Sequence, residues 1–198
     1  MDEPLGAHTP NEIEYYLLVA NCAKCGHGPF VIKNVRSEGD GGAAAGSRGA
    51  AIRTRCRRCG AQTTFHFRWD GDAPDPADEI NPTGRPSRII DLGQWVGLYH
   101  VFREQSSSAE SPAETRRAAR KAAMCLAEAL RFYSQEELPP DSAFFCEASR
   151  AAFQENRANF ARTRLRELQA LLPTFVDTAA RPRETEADPP AHGQLPPE

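Results

Sequence analysis

The sequence predicts an α+β protein: an N-terminal antiparallel β unit followed by a small C-terminal helical domain. Three observations carry this. Two CxxCG motifs, Cys22–Gly26 and Cys56–Gly60, stand among short β-type runs. Phe65, Phe67 and Trp69 alternate with polar residues at the period of a half-buried strand. From Asp91 onward the apolar residues recur at helical spacing instead.

Residues 1–12 hold Pro4, Gly6 and Pro10 without periodicity and read as a flexible lead-in. The β unit is expected over 13–70. Tyr15-Tyr16-Leu17-Leu18-Val19-Ala20 is short, apolar and aromatic, strand-like in type and length. Phe30-Val31-Ile32-Lys33-Asn34-Val35 is a second such run, rich in β-branched residues. Residues 37–51 contain five glycines and five alanines in 15 positions, too little side chain to bury, and read as a mobile insert. Ile52–Arg55 leads into the second cysteine pair and Thr63–Trp69 leads out of it. Residues 71–88, with Pro74, Pro76, Pro82 and Pro86, read as a linker.

The helical domain is placed at 89–175, with three or four helices. Asp91 with Gln94 forms a capping-box pair, and Leu92, Trp95, Val96, Tyr99 and Phe102 form one stripe. Gly93 and Gly97 weaken that helix and leave room for close packing. Ser111-Pro112-Ala113-Glu114 opens the next helix with a capper, a first-turn proline and an acid at the third helical position. Its face is Ala118, Ala122, Cys125, Leu126, Ala129 and Tyr133, and Pro139-Pro140 ends it. A shorter stretch follows Phe144-Phe145-Cys146 and includes Phe153. A last one carries Ala161, Leu165, Leu168 and Leu172 on one face before Pro173. The tail, 176–198, is rich in proline and charge and reads as disordered.

Four of the six cysteines, Cys22, Cys25, Cys56 and Cys59, form the chemical signal. Two residues between paired cysteines let a tight turn aim both thiolates at one point, and the glycine after each pair can adopt φ > 0 to close that turn. The 30-residue gap from Cys25 to Cys56 falls to 15 without the insert, inside the range of paired metal knuckles. One zinc ion follows. Four thiolates close its shell, so it is a structural staple and not a catalytic centre. The chain begins with an acidic stretch that lacks the order of a secretory signal, which points to a cytoplasmic protein and against two disulfides. A redox dithiol would sit at a helix start rather than between strands. His27 and His66 lie near the cysteines, but four sulfurs already suffice.

A net charge of −3 gives no global attraction to nucleic acid, and no apolar run approaches the length that crosses a bilayer. Locally the second knuckle is basic. Arg53, Arg55, Arg57, Arg58 and Arg68 lie in a window without acids, followed by the three alternating aromatics. Arginines beside aromatics suit single-stranded nucleic acid, whereas inward-packing aromatics with solvated arginines are the plainer arrangement. Cys125 lies on an apolar helix face, where a thiol acts as a small hydrophobe, and Cys146 follows two phenylalanines. No phosphate loop, dinucleotide fingerprint, nucleophile elbow or HExxH helix is present.

With its CAKCG and CRRCG knuckles, the segment Tyr16–Phe67 resembles the zinc-ribbon superfamily. The block from Ile89-Ile90-Asp91-Leu92-Gly93-Gln94-Trp95 through Pro139-Pro140 and Phe144-Phe145 resembles helical C-terminal regions of uncharacterised bacterial zinc-ribbon proteins. The resemblance implies a fold and a metal but no particular activity. The expected function is a non-catalytic adaptor that contacts a protein partner through the helices, with contact to RNA or DNA through the arginines as the alternative. An enzyme with a site between ribbon and helices is the third reading.

Overall fold

The computed structural model describes residues 3–38, 48–69 and 79–172. It is an α+β structure: a four-stranded sheet, order β1-β4-β3-β2, packed with five helices. The strands are β1 (Leu5–Ala7), β2 (Phe30–Glu38), β3 (Arg48–Cys56) and β4 (Gln62–Trp69). β2, β3 and β4 run antiparallel in sequence, and β1 joins β4 in parallel. The helices are α1 (Pro10–Val19), α2 (Leu92–Ser108), α3 (Pro112–Leu130), α4 (Glu147–Glu155) and α5 (Arg162–Ala170).

Three sequence expectations are corrected in the N-terminal half. Residues 15–20 are not a strand; they belong to α1 and its C-terminal cap. Pro10 occupies the first turn after an extended Thr9, where its missing N–H costs nothing. The helix is clamped from two sides. Tyr16 packs edge-on against Phe65 and Phe67 of the sheet, at 5.8 and 5.6 Å. Tyr15 meets Trp95 and Phe102 of α2, at 5.6 and 6.0 Å. A helix buried on two faces is apolar nearly all round, so its sequence loses the stripe and looks like a buried strand. Second, the lead-in supplies β1, and Ala7, His8, Thr9 and Glu12 are buried. Third, the ends of the Gly/Ala insert are strand: Ser37 and Glu38 pair with Ala50 and Gly49. Small side chains here let the hairpin extend without steric demand. Residues 39–47, 70–78 and 173–198 lie outside the described residues; they include most of the insert, the first part of the expected linker (71–78) and the whole expected tail (176–198).

The remainder of the linker is a packed seam. Ile80, Asn81 and Ser87 are buried. The Thr9 hydroxyl donates to Ile80 O at 2.6 Å, the Asn11 side chain to Glu79 O at 3.2 Å, and the Arg88 guanidinium to Ala7 O at 3.3 Å. Arg131 at the end of α3 donates to Asn81 O and to Glu79 Oε1. One continuous core therefore runs from Phe30 and Phe67 through Tyr15 and Trp95 to Phe144 and Leu165. The helices do not form a core separate from the sheet.

The C-terminal half follows its sequence signals closely. Asp91 caps α2 with a reciprocal Gln94 bond, and Ser111 caps α3 by accepting from the Glu114 amide. Leu92, Trp95, Val96, Tyr99 and Phe102 are all buried. α3 ends at Leu130, before Pro139, because the chain turns at Arg131–Tyr133 to let the Tyr133 hydroxyl donate to Phe160 O at 2.5 Å. Phe144, Phe153 and Phe160 form a ring cluster with centroids 4.5–5.7 Å apart. The backbone of Gly93 lies so near Ser149 that a Cβ there would fall 2.6 Å from its hydroxyl.

Two acids are buried at the seam. Glu12 Oε2 accepts from the His8 amide at 2.5 Å, while its Oε1 has no hydrogen-bond partner. Glu128, 2% exposed, lies 3.3 Å from Arg131. Desolvation pushes its carboxyl up to about 8 from the ordinary 4.5; Arg131 opposes this, and Glu12 and Glu79 add to it. The folded chain thus holds a proton that the unfolded chain releases. Stability from this group is complete below about 4.5 and is lost as pH rises through about 8. The urea midpoint should fall between pH 5 and pH 8.5, and Glu128→Gln should flatten that fall; an equal decline in both proteins would refute the assignment.

Candidate metal centre

Each cysteine pair is shaped by the same backbone turn. In the first, the Cys25 and Gly26 amides donate to Cys22 O at 3.2 and 2.7 Å, and Gly26 has φ 72°. In the second, the Gly60 amide donates to Cys56 O at 3.0 Å, and Gly60 has φ 74°. Both glycines occupy the left-handed region that L side chains avoid, as the sequence motif requires. The surroundings differ from expectation only on one side: the first knuckle follows α1 rather than a strand, and the second joins β3 to β4. Neither CxxC opens a helix, so the redox arrangement that lowers a thiol at a helix N-terminus is not formed here. The two turns are tied together by the Arg57 amide, which donates to Pro29 O at 3.0 Å.

The four sulfurs converge. Cys22 and Cys59 are 3.7 Å apart, Cys25 and Cys56 are 3.8 Å apart, and all four sulfurs lie within 4.8 Å of one another. A tetrahedron with metal–sulfur bonds of about 2.3 Å has sulfur–sulfur edges of about 3.8 Å. The separations fit that shell and are far from the ~2.05 Å of a disulfide. Cys22 and Cys56 are buried while Cys25 and Cys59 are half-buried, so the site sits at the end of the sheet with one edge toward water. This is the one such cluster among the described residues.

Without a metal the thiols are held unequally. Hydrogen bonding from the Cys59 amide favours the Cys56 thiolate; desolvation opposes it, the Arg58 amide and the neighbouring thiols assist, and the thiol comes down to about 7. At Cys25 the backbone contact with His27 favours the thiolate, but desolvation and the three other sulfurs outweigh it and raise the thiol to about 11. A dication would reverse the second effect, because the attraction of each thiolate to the central positive charge outweighs the repulsion between thiolates.

The two neighbouring histidines take no part. The His27 ring lies against Cys25 O at 2.5 Å, and His66 faces away on β4, opposite Ala51. Cys125 is buried on α3, where desolvation pushes its thiol far up, and Cys146 donates to the Ser149 hydroxyl at 3.1 Å.

The structure separates the arginines from the aromatics. Phe65 and Phe67 point inward with Tyr16 and Phe30. Arg53, Arg55 and Arg68 lie exposed on the opposite, outer face, and Arg57 and Arg58 are exposed in the second knuckle. Period two made both placements legible at once, and the burial of the aromatic side decides which holds. Two further cations on the outer face, Lys33 and Arg36, escaped the sequence reading. A register shift between Ile32 and Asn34 breaks the alternation of β2 and hides which side chains share a face.

Among the described residues no helix is long and apolar enough to cross a membrane. No family model matches the chain, and comparison with curated proteins and with solved structures gives no match either.

Proposed function

We propose that the chain is a non-catalytic binding protein of the zinc-ribbon type, acting in the cytoplasm, whose single zinc ion on Cys22, Cys25, Cys56 and Cys59 is purely structural. The carrying observation is the tetrahedral spacing of four sulfurs. Catalytic zinc keeps three protein ligands and an open position, whereas four thiolates occupy every position. Soft thiolates select zinc over magnesium or calcium. The ion then braces the turns that end the sheet, where few apolar residues are available to do so.

Binding takes place on outer surfaces. The helical half leaves Leu138, Phe145 and Leu171 in water, which suits contact with a protein partner. A second reading, contact with RNA or DNA, is favoured by the gathering of exposed arginines on one face of the sheet.

Cobalt substitution tests the closed shell. The cobalt form should show thiolate charge-transfer and tetrahedral d–d bands that cyanide and azide leave unchanged. A shift of the d–d bands on adding either anion would reveal an open position and replace this reading with a catalytic one.

A further inference from the structure

We propose that the outer face of the sheet binds the phosphate backbone of nucleic acid without reading its bases. This deepens the second contact surface above and rests on the chain being a binding protein. The strand register collects the cations. Arg55 stands opposite Val31 and Gln62, Arg53 opposite Asn34 and Thr64, Arg36 opposite Ala51, and Arg68 opposite Gly49. Arg57 and Arg58 continue the array at the knuckle, and Lys33 joins it at the bulge. β2, β3, the second knuckle and β4 together contain eight lysines and arginines and one acid, Glu38, which stands at the far end of the face opposite Gly49. Among the described residues, Lys33, Arg36, Arg53, Arg55, Arg57, Arg58 and Arg68 form no ion pair.

The shape suits a polymer lying across the face. Arg36, Ala51, Arg53, Thr64 and His66 line an open basin of ≈ 550 Å³. Arg53 and Arg55 also line a second basin of ≈ 520 Å³ with Lys33 and Gln62. Alternate residues on a strand are about 7 Å apart, comparable with one nucleotide step of an extended chain. Six of these seven cations are arginines, whose planar fork engages phosphate oxygens two at a time.

Two observations choose the phosphate backbone over other ligands. The face has one large apolar side chain, Val31, among the residues that register places on it, whereas protein interfaces depend on buried aromatic or aliphatic anchors. The aromatics that would stack on bases are on the other side of the sheet, in the core. Recognition is therefore electrostatic, indifferent to sequence and steeply dependent on salt. Engaging about four phosphates gives a log–log salt slope of roughly −3 to −4.

The test is anisotropy with labelled oligo-dT, oligo-dA and a mixed-sequence duplex, using the full, metal-loaded chain. All three should bind at low salt, with affinities for dT and dA within about threefold because no stacking is available. Arg53→Glu combined with Arg55→Glu should weaken binding about tenfold or more, while Arg164→Glu with Arg166→Glu, the same charge change on α5, should weaken it less than about threefold. Metal content and circular dichroism of each variant establish that the fold persists. Equal losses in the two double variants would overturn the proposal, as would a strong preference for one base. Binding of poly-glutamate or phosphatidylserine vesicles with none to oligonucleotides would also overturn it, yet leave the binding-protein reading standing. An open metal position in the cobalt form would remove that reading independently.

Discussion

Replacing Cys56 with serine is expected to reduce bound zinc from one ion per chain to none and to release the cysteine end of the sheet. Cys56 is 1% exposed, its sulfur is 3.8 Å from that of Cys25, and it pairs with Phe30 across the β2–β3 ladder. A serine hydroxyl does not ionise near neutral pH and cannot supply the fourth thiolate. Structural zinc contributes about 10–16 kcal/mol in zinc-finger peptides that have no other support. The loss here should be smaller and local, because α1 buttresses the sheet and one core runs into the helices. Hydrogen exchange should show lost amide protection at the two knuckles first, followed by lower protection in α1, which the sheet holds against α2. Chelation of the wild-type protein should reproduce the pattern. A serine variant that retained full zinc and unchanged protection would dispose of the assignment.

Asp91→Ala is expected to be the most damaging single change in the helical half. The side chain of Asp91 is fully buried and accepts four hydrogen bonds. Oδ1 receives the Gln94 amide and the Ser149 hydroxyl, each at 2.8 Å. Oδ2 receives the Phe145 and Cys146 amides, each at 3.0 Å. One carboxylate therefore caps α2 and also satisfies the entry to α4, where otherwise-unpaired helix amides make a negative group favourable. Alanine would remove the acceptor of all four donors, the buried Ser149 hydroxyl and three part-buried amides. Each unsatisfied group costs about 1–3 kcal/mol, and since the losses are not additive the total should be about 3–5 kcal/mol. Asp91→Asn should recover part of this, because its oxygen replaces one acceptor while its NH2 confronts donors. Urea denaturation measures both. An alanine variant within about 1 kcal/mol of wild type would show that the junction holds without this residue.

The capping role of Asp91 was legible in the sequence from Gln94 three residues on, and the link to α4 was not. A cap is a local pattern, whereas Ser149 reaches Asp91 only because Gly93 presents bare backbone to it. The metal knuckles were legible for the same local reason. Cys-x-x-Cys-Gly specifies a turn, a φ sign and a direction for two sulfurs within five residues, and the two turns then need only to meet. The helix at 10–19 was misread because its apolar residues serve two neighbours at once. The seam at 79–88 was misread because proline and polar residues also suit a segment that packs through side-chain-to-backbone bonds rather than through apolar periodicity.

By itself the sequence determined the α+β class, the four cysteines on their two turns, the strand character of the runs that became β2, β3 and β4, and the caps and stripes of α2 and α3. Turn, strand character, cap and stripe are each set by conformations within a few residues, so the local pattern carries them. Only the tertiary structure decided that α1 is a helix, that sheet and helices share one core, and that the arginines lie on one face with the aromatics on the other. The physical reason is burial. A residue's period says which neighbours share its side, but which side becomes dry depends on what the distant chain brings to cover it.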